Sequence, residues 1–123
     1  MKWFGLFAAG MLLAAPAAAR DCSDAATQTD MNICANGELE RADKGLNEVY
    51  GRLRKKLKAE GSAEQPLINA QRAWIAFRDQ ECAFAGSDYE GGSMQPFVIA
   101  HCKTELTDGR SGQLEGYIAG ETD

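Results

Sequence analysis

The stretch AQRAWIAFRDQEC, residues 70–82, decides the fold, because its winding fixes which side chains go inward. At 3.6 residues per turn, Leu67, Ala70, Trp74 and Phe77 form an apolar line, expected to face the core. Gln71, Ile75, Arg78 and Cys82 form a second line beside it, and Arg72 with Asp79 a third, outward one. Arg78 then sits at the border of the buried face, where a guanidinium needs oxygen partners. The rest of the chain has to supply them.

Upstream, residues 27–57 read as a long amphipathic helix. Met31, Ala35, Ala42, Leu46, Val49, Leu53 and Leu57 recur at spacings of three, four or seven. Thr27 followed by Asp30 resembles a capping box with Asp in place of the usual Glu. Basic residues at 52–58 suit the negative end of the helix dipole. AEGSAEQP, residues 59–66, is a turn, and Pro66 fits the first turn of a second helix running to about residue 85. GSDYEGGS, residues 86–93, is a loop in which Ser93 would cap a third helix over 94–106. Thr107 would cap a weak fourth helix, because Gly109, Gly112, Gly116 and Gly120 favour fraying. No segment alternates with period two. The expected class is all-α, a small antiparallel helical hairpin or bundle of three to four helices.

Residues 1–19 read as a signal peptide: Lys2, an apolar run from Trp3 to Ala15, then Pro16 and AAA as a cleavage site ending near Ala19. The expected organisation is therefore a leader at 1–19 and one domain at 20–123, placed in the periplasm or secreted. Asp21 stands where a lipoprotein signal wants a small residue before Cys22, so no lipid anchor is expected. Nor does a second apolar run approach the length of a membrane span. Cleavage would remove Lys2, leaving 12 basic against 18 acidic residues. That balance disfavours nucleic acid and anionic lipid and suits a basic partner.

All four cysteines lie beyond the leader, and four allow three pairings. Cys22 precedes the first helix and Cys34 lies two turns inside it, so a bond between them would pin the leading segment back. In an antiparallel hairpin centred near residue 90, Cys82 falls about one turn from Cys102. Cys22–Cys34 with Cys82–Cys102 is the favoured pairing, each bond contributing on the order of 3 kcal/mol. With one histidine and no C-x-x-C spacing, neither a metal site nor a redox site is expected.

A hairpin of the first two helices about residue 62 would set Arg78 opposite Asn47, with Asp43 one turn away. Asp43, Asn47, Tyr50 and Arg54 make a polar line beside the apolar seam. A carboxylate and an amide could satisfy the guanidinium, so Arg78 is expected to fix the hairpin's register. Trp74 is expected in the core.

CSDAATQTDMNIC, then Ala42, Asp43, Leu46, Asn47 and Tyr50, then AQRAWIAFRDQEC and GGSMQP together resemble the LprI-type lysozyme-inhibitor domain. The resemblance covers nearly everything from Asp21 to about Arg110, and the 70–82 run is its most specific part. It implies a small, exported, helical, disulfide-stapled binding protein without a cofactor, whose partner is a basic lysozyme-type muramidase.

Such an inhibitor needs neutral donors on a protruding loop to occlude a cleft holding two carboxylates. The loop at 86–94 offers Ser87, Tyr89 and Ser93, flanked by the acidic Asp88 and Glu90; the simpler reading is a plain interhelical connection, with the glycines there to make a tight turn. A non-inhibitory binding or scaffolding module for another envelope component is the alternative. An enzyme is not expected: His101 stands alone beside Cys102, and Asp79 with Glu81 reads as a solvated face, so no catalytic residue is assigned.

Overall fold

The side chain of Thr27 accepts a hydrogen bond from the Asp30 amide at 3.0 Å and starts the first helix. The structure is a computed structural model and describes residues 22–120; the expected leader lies outside the described residues. A short 3-10 turn, Cys22–Asp24, precedes α1, Gln28–Ala59. Its last turn carries Lys56 and Lys58, which complement the dipole there. α2, Gln65–Gly86, starts with Pro66 in its first turn, where the missing amide proton costs nothing. A second 3-10 turn, Ser87–Tyr89, leads to α3, Gln95–Ala119. The class is all-α, with two disulfides, Cys22–Cys34 and Cys82–Cys102.

α3 departs most from the sequence expectation. It is one continuous helix, not a helix to residue 106 followed by a frayed fourth one. Thr107 does not cap anything; it lies mid-helix and fully buried. Gly109 and Gly112 are exposed, and a Cβ on either would meet nothing. The helix persists because Leu114, completely buried, and Ile118 anchor its last turns against α1. Packing of that kind outweighs a propensity cost of about 1 kcal/mol per glycine. The helix ends at Gly120, whose positive φ of 77° closes its C-terminus. Its other end differs too: the N-cap is Met94, with no side-chain cap, and Ser93 contributes its carbonyl elsewhere.

The helices run up, down and up, so α1 and α3 are parallel. Asn32 reaches Ser93 near the lower end, and Arg52 pairs with Glu115 near the upper. α1 packs most extensively on α3, α2 leans on α3, and the approach of α1 to α2 is slight. The expected α1–α2 hairpin is therefore not the primary packing unit. Leu46, Val49, Leu53 and Leu114 form the core, with Tyr50, Leu57, Leu67 and Trp74 packed against it. The smaller Ala35, Ala42, Ala100 and Thr107 are also buried, and small side chains let helix backbones close up. At the end of α2 the approach is closer still: a Cβ on Gly86 would lie 2.5 Å from Cγ1 of Ile99. A Cβ there would push the Ile99 side chain aside where α2 turns over α3, just beyond the Cys82–Cys102 bond.

Candidate functional site

The line of α2 that faces inward runs between the two expected ones. Gln71 and Cys82 are buried, Leu67, Trp74 and Arg78 are half-buried, while Ala70 and Phe77 are exposed. The winding expected from hydrophobicity is thus rotated towards the line that holds the cysteine. The disulfide explains the rotation: Cys82 must meet Cys102 on α3, which turns Gln71 and Arg78 inward and leaves Ile75, on the same line, exposed.

Arg78 finds its oxygens there. Its Nη1 donates to Asp43 Oδ1 on α1 at 2.8 Å and to Thr107 Oγ1 on α3 at 3.2 Å. Its Nε donates to Asp79 Oδ1 at 3.1 Å, and Lys103 lies 3.6 Å from the same oxygen. The side chain is 12% exposed and ties all three helices together. Asp43 is the partner expected from the sequence. Asn47 is not one: it is exposed, one turn further along α1, and Thr107 takes its place. Tyr50 also leaves the expected polar line, packing against the core under the guanidinium of Arg54.

Trp74 lies under two cations, Arg78 at 5.4 Å and Arg110 at 6.0 Å. Arg110 donates its Nε to the buried Gln71 at 3.0 Å and its Nη1 to Gln113, so its partners are neutral amides. Burial lowers its pKa. Arg54, by contrast, is raised, first by its 2.9 Å hydrogen bond to Glu64 at the α1–α2 turn. Sequence reading missed Thr107, Gln71 and Arg110. Only Gln71 left a trace, its place on the line of Cys82.

This constellation holds the three helices together. His101, exposed, pairs with Glu105 and stacks on Phe97. The closest group of metal-type donors among the described residues is Cys22, Cys34 and Glu38, and both sulfurs are bonded to each other.

The lower end of the bundle differs in character. Asn32 Nδ2 donates to Ser93 O at 3.0 Å, joining the 86–94 loop to the start of α1. A shallow open hollow there is lined by Asp24, Asp30, Ile33, Glu40 and Arg41, with Ile33 61% exposed. The loop presents the exposed Asp88, Tyr89, Glu90 and Met94. The loop is itself firmly built. Ser87 Oγ donates to Phe84 O at 2.6 Å, and the Gly92 amide to Tyr89 O at 2.9 Å. Ser87 therefore spends its hydroxyl proton within the chain, whereas the half-exposed Tyr89 stands outward.

A family description, lysozyme inhibitor LprI, matches residues 19–114, most of the chain, from the leading 3-10 turn to Leu114 in α3. The chain belongs to the lysozyme inhibitor LprI family. An uncharacterized protein of Rhizobium meliloti (strain 1021) is 37% identical over 106 residues, spanning 77% of this chain and 76% of that one. No solved structure matches. LprI is an inhibitor family rather than an enzyme family, and among the described residues no helix is long and apolar enough to cross a membrane.

Proposed function

We propose that this LprI-family protein is exported through its leader at 1–19, stays unanchored in the periplasm or outside the cell, and inhibits lysozyme-type muramidases. It docks by its lower end. The family supports the target class, and the single observation that carries the site is the charge at that end. Asp88 and Glu90 flank the exposed Tyr89 there, and Asp24, Asp30 and Glu40, with Arg41, surround the exposed Ile33 on the outer side of α1. The upper end carries Arg52, Arg54, Lys55, Lys56 and Lys58, all but Lys55 paired with Glu60, Glu64 or Glu115. An acidic end on a basic enzyme steers association, while aromatic burial supplies the affinity.

Tyr89 is the anchor, because a phenol can bury area in a cleft and still hydrogen-bond to its walls. Asp88 and Glu90 stay at the rim, since deep insertion would set them against the enzyme's own carboxylates. Ser93 and Ser87 shape the loop more than they touch the target.

The test is inhibition of a basic muramidase by the oxidised protein across a salt series. Inhibition should weaken as salt rises, and Tyr89→Ala should lose about 2 kcal/mol of binding, roughly 30-fold, with its melting temperature unchanged. Asp88→Asn and Glu90→Gln should act chiefly on the association rate. Full inhibition by a folded Tyr89→Ala would remove this anchor. No inhibition at any salt would favour a module that binds another envelope component.

A further inference from the structure

The outer face of α2 is the largest feature that neither the fold nor muramidase binding uses. Ala70, Ala73, Ala76, Phe77, Ala83 and Phe84 are all exposed, Phe77 by 54% and Phe84 by 74%. Phenylalanines left in water along four helical turns mark an interaction surface. Arg72 and Asp79 border it on one flank and Glu81 on the other. Among the described residues neither Arg72 nor Glu81 has an ion-pair partner.

The geometry points to a second copy of this chain as the occupant, its α2 laid antiparallel on this one across a dyad near Ala76. The face is self-complementary in one register. Antiparallel positions there add to about 151, so each copy's large side chains fall on the other's small ones. Phe77 lies between Ala73 and Ala76 of the second copy, and Phe84 between its Pro66 and Ala70. The charges agree in the same register. In an antiparallel pair related by a dyad, like flanks meet, which brings Arg72 against Asp79 of the second copy and the reverse. Seven residues, about 10 Å along the axis, keep the two from pairing within one helix. Asp79 already holds Arg78 and Lys103 but is 45% exposed and has room for a third cation.

The area sets the strength. With about 200 Å² for a whole phenylalanine side chain, this face offers on the order of 500 Å² per copy. Both copies then bury about 1,000 Å², the lower edge of specific association. The dimer is reversible and micromolar or weaker, and it does not depend on the muramidase reading.

Sedimentation of the oxidised protein from micromolar to millimolar concentration tests this. Wild type should pass from monomer to dimer. Phe84→Ser and Arg72→Glu should each weaken association about tenfold or more while melting like wild type in dilute solution. Ala76→Cys, on the dyad, should give a covalent dimer on oxidation. A monomer at every concentration overturns the proposal, as does a dimer indifferent to both substitutions. If Phe84→Ser instead abolished binding to a muramidase or to lipid vesicles while wild type stayed monomeric, the face would belong to that partner and the dimer would be wrong.

Discussion

The inner face of α2 carries Gln71, Arg78 and Cys82, while its outer face carries Phe77 and Phe84. One helix therefore buries a guanidinium and an amide and leaves two phenylalanines in water. Hydrophobic sorting alone would bury the phenylalanines beside Leu67 and Trp74, which do pack on the core. Four directed bonds set the rotation: the disulfide to Cys102, the Arg78 hydrogen bonds to Asp43 and Thr107, and the Gln71 hydrogen bond from Arg110. With the inner face holding the bundle through specific bonds, the outer face is left to meet partners.

The comparison breaks most visibly if the inner bonds prove dispensable. Replacing Cys82 and Cys102 together by Ser should cost about 3 kcal/mol in a denaturant titration of the dilute protein. Thr107→Val keeps the shape but withdraws one of the oxygens around Arg78, and should cost about 1 to 2 kcal/mol. Gln71→Ala should cost about 1 kcal/mol, because the Arg110 Nε loses its partner in a half-buried position. Arg72→Ala, on the outer rim, should change folding stability by less than about 0.5 kcal/mol. If it cost as much as Thr107→Val, the outer flank would be part of the fold and the contrast would fail.

How much of this was legible in the sequence depends on whether a local rule governed each part. The long first helix, its Thr27 cap, the Pro66 start and both disulfides follow from spacing and cap chemistry, and the structure has them. The face of α2 did not follow, because Ala70 and Phe77 outrank Gln71 and Arg78 on any hydrophobic scale. Cys82 held the missing information: a cysteine bonded to the next helix fixes which line points inward. α3 was cut short at residue 106 because its glycines are read locally, whereas Leu114 and Ile118 act through contacts with α1. Asp43 was placed one turn from Arg78 on a hairpin axis and proved the direct partner. Asn47 was placed opposite it and points to water. The hairpin register was off by about one turn, since α3, not α2, packs most closely on α1. Tyr89 and its acidic neighbours were legible only as exposed loop chemistry, and their role in binding rests on the proposed function.

A single comparison of unfolding free energies tests the inversion of α2 most directly: Arg78→Ala against Phe84→Ala, both in dilute, oxidised protein. Losing Arg78 should cost about 2 to 3 kcal/mol, leaving Thr107 and Asp43 without their donor and Asp79 with Lys103 alone. Asp43 and Asp79 are each nearly half exposed, which keeps the cost below that of a fully buried pair. Losing Phe84 should cost less than about 0.5 kcal/mol. Equal costs, or a larger one for Phe84, would mean that α2 is held by its apolar side chains and that its outer face is not free for a partner.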